Sequence, residues 1–81
     1  MRRDRKETML RILQLLAKEN LSKTKIVYSL MLNFQATKTH LDYLVGKEYV
    51  NYDASTRRYS ITGMGMQAMQ IAEVYEKEWT Q

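Results

Sequence analysis

The sequence predicts one small α+β domain that is mostly helical, with three helices, a two-stranded β-hairpin and a C-terminal helix in that order. Its 81 residues are 44% hydrophobic, which is enough for a single compact core. Apolar residues recur at helical spacing, then alternate with polar residues, then return to helical spacing. We assign residues 1–62 to the core of the domain, with a basic arm at 1–6, and residues 63–81 to the C-terminal helix.

The first two helices are predicted from their apolar sides and a capping residue. Residues 7–19 place apolar side chains on one stripe and charged side chains on the opposite one, which is typical of an amphipathic helix. Ser22 is a good N-terminal cap for a short second helix, since its hydroxyl can accept from a free backbone N–H. Ile26, Val27 and Leu30 would then face inward.

A third helix follows after a tight connection. Asn33 is the next capping residue and predicts a helix from about Phe34 to Lys47. Only Leu32 and Asn33 separate it from the second helix, as a helix-turn-helix requires. Gly46 marks its end. The predicted inward side chains of this helix are Phe34, Thr37, Leu41, Leu44 and Val45.

The pattern changes to that of a β-hairpin after the third helix. Residues 49–52 and 59–62 alternate apolar or aromatic residues with polar ones and are rich in strand-forming residues. The charged stretch 53–58 between them predicts an exposed turn. Arg57 and Arg58 make this turn, or the strand that leaves it, doubly basic.

The last helix is predicted over residues 63–79, with Thr62 as its cap. Gly63 and Gly65 are poor helix residues, so we expect a loose first turn and firm helix from about Met66. The helix is apolar on more than one side, which indicates two burial partners. We expect one side to pack on its own domain and the other on a second copy of the chain. The predicted dimer interface consists of Met69, Ala72, Tyr75 and Trp79.

Three helices followed directly by a hairpin describe a winged helix-turn-helix. The chain also resembles the archaeal winged-helix family of predicted transcriptional regulators and small basic dimeric chromatin proteins. The similarity extends from about residue 8 to residue 70. The residues that carry it lie at 23–28, 32–34, 41–44, 46–47 and 59–65.

The resemblance implies binding to double-stranded DNA, either sequence-tolerant or operator-specific, and dimers formed through the C-terminal helix. Chromatin-type members use an antiparallel coiled coil. Here the last helix is only about four or five turns long and has no sustained heptads, so the long coiled coil is not expected. Met64 stands where the family often has a charged residue.

The distribution of charge agrees with a DNA partner. Residues 1–40 hold nine Lys and Arg against three Asp and Glu, whereas residues 41–81 hold four against six; a cation-rich half favours a polyanion. A recognition helix presents its outward side to base edges while the wing holds phosphates. The third helix has no Arg, so we expect modest sequence discrimination. The candidate DNA-binding residues are Lys23, Lys25, Gln35, Ala36, Lys38, Thr39, His40, Arg57 and Arg58.

Other function classes find little support in the sequence. There is no cysteine, and the single histidine has no ligand-spaced partner, so no metal or other cofactor is expected. No nucleophile elbow or phosphate-binding loop indicates an enzyme. No apolar run is long enough for a membrane span, and we expect a cytoplasmic, nucleoid-associated protein. Two alternatives remain. One is a winged helix that serves as a protein-interaction module, and the other is a ligand-responsive regulator, which would need an apolar pocket near Met66, Met69 and the dimer contact.

Overall fold

The computed structural model describes the backbone of residues 5–79 and the side chains of residues 5–75. Within this range the predicted class and order of elements are confirmed. The elements are α1 (Arg5–Lys18), α2 (Lys23–Leu30), α3 (Phe34–Gly46), β1 (Val50–Asp53), β2 (Arg58–Ile61) and α4 (Gly63–Trp79). The helix α1 begins two residues earlier than predicted and takes in Arg5 and Lys6, so these two residues do not belong to an arm. The rest of the predicted arm lies outside the described residues.

The core lies where α1, α2, α3, the hairpin and α4 meet. Ile12, Ile26 and Leu41 are completely buried and come from the first three helices. Burying each such side chain stabilises the fold by about 1.5–3 kcal/mol. The core side chains are Leu10, Ile12, Leu13, Leu16, Ile26, Leu41, Leu44, Val50 and Met69.

Side-chain caps fix both helices of the helix-turn-helix. The Ser22 hydroxyl accepts from the Lys25 N–H at 3.3 Å, and the Asn33 side-chain oxygen accepts from the Ala36 N–H at 2.9 Å. Both predicted caps are confirmed. The connection between α2 and α3 is one residue longer than predicted, because α2 ends at Leu30 and Met31 takes the left-handed conformation, with φ of 54°.

The helix α3 ends at Gly46, but the left-handed residue that closes it is Glu48, with φ of 65°. The Glu48 N–H donates to the Val45 carbonyl at 2.9 Å, and the Tyr49 N–H donates to the Leu44 carbonyl at 3.0 Å. These two bonds form a Schellman motif. The motif turns the chain directly into β1.

The strands β1 and β2 pair antiparallel, with Val50 opposite Ile61 and Tyr52 opposite Tyr59. We term these strands and the connecting residues 54–57 the wing. At its tip Arg57 is left-handed, with φ of 58°, and its N–H donates to the Asp53 carbonyl at 2.7 Å.

The wing is also bonded to the segment between α1 and α2, a pairing that the sequence did not predict. Leu21 and Tyr59 exchange two backbone hydrogen bonds, of 3.1 and 2.7 Å. The strand β2 therefore has a hydrogen-bonded neighbour on each side. It pairs with β1 along its length and with Leu21 through Tyr59.

The helix α4 is regular from Gly63, so the expected loose first turn is wrong. Thr62 caps the helix as predicted, because its hydroxyl accepts from the Gly65 N–H at 2.9 Å. The same hydroxyl donates to the Glu48 carbonyl at 2.7 Å. Gly65 is buried against the backbone of Tyr49 and the side chain of Ile61, with no room for a Cβ atom. Among the described residues, no helix is both long and apolar enough to cross a lipid bilayer.

Candidate nucleic-acid interface

A cleft of about 690 Å³ lies between the start of α2, the outer side of α3 and the wing. We term this feature the cleft. The capped N-terminus of α2 forms one wall, α3 forms the second, and the aromatic side of the wing forms the third. Its lining residues are Ser22, Lys23, Thr24, Lys38, Asp42, Val45, Tyr52, Arg57 and Tyr59.

Three of the predicted DNA-binding cations line this cleft. Lys23 comes from α2, Lys38 from α3 and Arg57 from the tip of the wing. They are far apart in sequence, and the fold places them around one concave surface. This grouping gives the cleft a positive lining.

Other predicted residues lie on the exposed side of α3 beside the cleft. Gln35, Ala36 and Thr39 are all exposed. The Thr39 hydroxyl donates to the Gln35 carbonyl at 3.2 Å, so it is engaged within its own helix. The Gln35 side chain and the Ala36 methyl group therefore remain the more accessible contacts near the start of α3.

The remaining three predicted DNA-binding residues also lie outside the cleft lining. Lys25 is exposed on α2. Arg58 stands opposite Asp53 in the hairpin, on the face of the ribbon that does not carry Tyr52 and Tyr59, since alternate strand residues point to opposite faces. Burial, and secondarily the charge of Arg5, lower the pKa of His40. His40 is half-buried and is absent from the lining of the cleft.

The cleft contains one carboxylate, which the sequence reasoning did not single out. Lys38 Nζ lies 2.9 Å from Asp42 Oδ2, one turn further along α3. The hydrogen bond to Asp42, followed by its charge, raises the pKa of Lys38. The spacing of four residues on the outward side of the predicted helix was the signal that could have identified this pair.

Two tyrosines of the wing form the aromatic wall of the cleft. The rings of Tyr52 and Tyr59 lie 4.7 Å apart between centroids and are tilted by 44°. Burial is the main cause that raises the pKa of Tyr59, followed by the nearby Tyr52 and Asp42, while Lys38 acts in the opposite direction. Tyr59 and both members of the ion pair on α3 line the same cleft.

Two side chains predicted to face inward on α3 do not. Phe34 is 45% exposed, because it is the first residue of the helix and lies beyond the core. Its ring packs edge-on against Tyr28, with 6.4 Å between centroids, and the Lys23 ammonium lies 5.8 Å from its centre. Val45 is also exposed and lines the cleft. The burial of Thr37, Leu41 and Leu44 is confirmed.

The predicted dimer residues lie on two different sides of α4. Met69 is buried in the core of its own chain, and Ala72 packs against that core, so we reassign both to the inward side. Tyr75 is exposed, together with Ile71 and Val74. We term these three exposed side chains the α4 patch. The side chain of Trp79 lies outside the described residues.

The described residues contain no cluster of His, Asp or Glu side chains that could hold a metal ion. The candidate site in the described part of the chain is the positively lined cleft. Its concave walls come from a helix-turn-helix and a wing.

Comparison with known proteins agrees with this architecture. No curated protein is similar enough in sequence to match. A solved structure of a Lactococcus lactis ZitR variant matches with a TM-score of 0.72 and 20% identity, over 99% of this chain. This identity shows a shared fold alone, and the chain spans 60% of the length of the ZitR chain. A family model described as winged helix-turn-helix matches residues 2–79, and the chain therefore belongs to the winged helix-turn-helix family.

Proposed function

We propose that this chain binds double-stranded DNA, as a transcriptional regulator or as a minor chromatin protein. The observation that carries the proposal is the grouping of Lys23, Lys38 and Arg57 around the cleft, beside the exposed side of α3. Lysine and arginine that meet phosphates release condensed counterions, which supplies much of the affinity for DNA. The wing and the start of α2 then act as clamps on either side of α3.

In this arrangement the outward side of α3 enters the major groove over about two turns, from Gln35 to Asp42, and the wing meets the backbone or the minor groove. Gln35 is suited to pair with adenine, and Ala36 leaves room for a thymine methyl group. Arg57 at the wing tip is suited to a phosphate or to a narrow minor groove. Because α3 contains no Arg, we expect modest sequence discrimination overall.

The salt dependence of binding tests this proposal. The fluorescence anisotropy of a labelled random duplex is titrated with the protein at several salt concentrations. For a dimer that neutralises about four to eight phosphates, the logarithm of the affinity falls with the logarithm of the salt concentration with a slope of about −0.9 per phosphate. Absence of binding to any duplex at low salt would overturn the proposal.

Charge variants locate the contact. Arg57→Gln should weaken binding to all duplexes and reduce the magnitude of the slope by about 0.9 per lost contact. Lys18→Gln removes the same charge at the exposed end of α1, which borders a separate depression with Arg11 and Gln14. This control should leave both affinity and slope unchanged. Arg58→Gln should have a smaller effect than Arg57→Gln, since Arg58 lies on the other face of the ribbon. Equal affinities of the Arg57 variant and the parent would remove the wing tip from the mechanism.

We also propose that the chain forms a homodimer through α4. Ile71, Val74 and Tyr75 are 71%, 61% and 63% exposed, and they share a shallow depression with Gln67 and Gln70. Apolar side chains grouped in this way on a surface favour a protein partner. In sedimentation without DNA, Ile71→Glu should reduce the dimer fraction. Met31→Glu, an equivalent change at an exposed methionine in the helix-turn-helix, should not reduce it.

A second candidate function is a protein-interaction module within a transcription complex. The observation that favours it is the exposure of Tyr28 and Met31, at 71% and 89%, beside Phe34 at the helix-turn-helix. Apolar groups at this position suit a protein surface as well as they suit DNA. The anisotropy titration separates the two functions, because a protein-interaction module has no affinity for duplexes at low salt.

A further inference from the structure

An ion pair occupies the outward side of α3 where the cleft opens. The Lys38 ammonium and the Asp42 carboxylate are 2.9 Å apart, and their side chains are 60% and 61% exposed. Both residues line the cleft. A step of about 100° per residue places Gln35 on the same stripe, about two turns before Asp42. The pair therefore stands on the side of α3 that the proposed function presents to the major groove.

The pair contributes little to the stability of the helix. Exposed ion pairs are weak because water screens them. The order along the helix is also the less favourable one, with the lysine four residues before the acidic residue. The Glu7–Arg11 pair on α1, which lies outside the cleft lining, has the favourable order. Helix stability thus does not account for the position of Asp42.

The carboxylate of Asp42 is also unfavourable for contact with phosphates. It repels the DNA backbone and occupies Lys38, one of the cations that line the cleft. A surface that only attracts polyanions gains affinity without it. A carboxylate at this position favours contact with hydrogen-bond donors, and in the DNA major groove these are the amino groups of cytosine and adenine.

The chemistry of the pair matches the edge of one base pair. The major-groove edge of G·C presents two neighbouring acceptors, O6 and N7 of guanine, next to one donor, N4 of cytosine. The Lys38 ammonium offers only donors, and the Asp42 carboxylate offers only acceptors. In an A·T pair the acceptors lie on either side of the adenine amino group, and the thymine methyl group stands beside them. The match is therefore better for G·C.

We propose that Lys38 and Asp42 together select a G·C base pair, with Lys38 donating to guanine and Asp42 accepting from the cytosine amino group. This inference rests on the proposed DNA binding and adds one specific position to an otherwise sequence-tolerant interface. Asp42 acts here by discrimination, because it excludes bases that present no donor to it. It lowers the affinity for other sequences more than it raises the affinity for the preferred one.

Selection from a random duplex pool, followed by sequencing, tests the inference. The duplexes that the wild-type protein selects should be enriched in G·C at one position, by about 5- to 150-fold over other base pairs. Asp42→Asn should shift that position toward A·T, because asparagine pairs with adenine through N6 and N7. The same variant should bind the unselected pool more tightly than the parent, since it no longer repels phosphates.

Glu19→Gln is the matched control. Glu19 is exposed directly after α1 and does not line the cleft, so its replacement removes the same charge without touching α3 or the wing. This variant should keep the wild-type base preference. A circular dichroism melt confirms that each variant is folded.

The outcomes separate the inference from the proposed function. If the wild-type protein retains duplexes that show no G·C enrichment, the inference alone is overturned. Identical base preferences for the Asp42 and Glu19 variants would overturn it as well. A wild-type protein that retains no duplex at low salt overturns DNA binding and the inference with it. Lys38→Gln should lose the preference for guanine at the same position. A change at any other position contradicts the assignment.

Discussion

Replacement of Gly65 by alanine tests how α4 is joined to the base of the wing. A Cβ atom at this position would overlap the backbone carbonyl of Tyr49 and would lie 2.8 Å from Cγ1 of Ile61. The Tyr49 carbonyl also accepts from the Thr62 N–H at 3.0 Å. It cannot move away without disturbing the hydrogen bonds that cap α4.

The expected cost follows from these contacts. The first turn of α4 must move by about 1 Å or more to reach an ordinary separation of about 3.5 Å. Overpacking of this kind costs about 1–3 kcal/mol, and a weakened Thr62–Tyr49 hydrogen bond adds about 1 kcal/mol. The free energy of unfolding should therefore fall by about 2–4 kcal/mol, from a total of about 4–12 kcal/mol for a chain of this length. The midpoint of thermal unfolding should fall by about 8 °C or more.

Urea unfolding followed by circular dichroism measures this loss, and Gly63→Ala is the matched control. A Cβ atom added at Gly63 would have no neighbouring atom within 4 Å, and the φ angle of Gly63 is not positive. Alanine there should stabilise the protein by up to about 1 kcal/mol, because it restricts the unfolded chain. If Gly65→Ala proves as stable as Gly63→Ala, the close contact between α4 and the wing does not exist in solution.

Three further predictions concern the scaffold of α3. Leu41→Ala should lower the free energy of unfolding by about 2–5 kcal/mol. Val45→Ala, at an exposed position of the same helix, should change it by less than about 1 kcal/mol. Similar losses for the two variants would contradict the burial of Leu41. Asn33→Ala should lower the free energy of unfolding by about 1 kcal/mol because the cap is lost, whereas Asn33→Asp should retain the cap. Equal urea midpoints for the two variants would argue against the capping role of Asn33. Burial, with a smaller contribution from Arg5, lowers the pKa of His40 in the folded state. The stability that neutral His40 contributes is therefore complete above the unfolded pKa of about 6.5, and it is lost as the pH falls from there through the lower folded value. In urea titrations at about pH 8 and about pH 5, His40→Gln should lose less stability on acidification than the parent, and an equal loss would refute the assignment.

Features that depend on a few neighbouring residues were predictable from the sequence. Ser22 and Asn33 cap their helices because a short polar side chain reaches an N–H three residues ahead. The pattern of residues 49–52 and 59–62 predicted the two strands to within one residue, because strand-forming residues flank a charged, turn-like stretch. The three cations of the cleft were identified as well, although nothing in the sequence showed that they share one surface.

Features that depend on packing were not predictable. Phe34 has the apolar character of a core residue, but its position at the first turn of α3 leaves it at the surface. On α4 two apolar sides compete, and spacing alone does not tell that Met69 packs inward while Ile71 faces out. Glu48 is left-handed because two backbone hydrogen bonds require it, although Gly46 is the residue that sequence statistics favour for that role. The proximity of Lys38 and Asp42 to Tyr59 results from the tertiary placement of the wing.

The backbone bonds between Leu21 and Tyr59 bear on the proposed binding of DNA. Leu21 directly precedes the cap of α2, and Tyr59 belongs to the opposite wall. The two bonds therefore hold these walls of the cleft at a fixed separation in the free protein. A preorganised binding surface of this kind loses little conformational entropy when it binds a ligand. In the proposed complex we therefore expect the double helix to adapt, since its grooves widen or narrow at a sequence-dependent cost. Easily bent sites should then bind more tightly, even where no side chain contacts their bases.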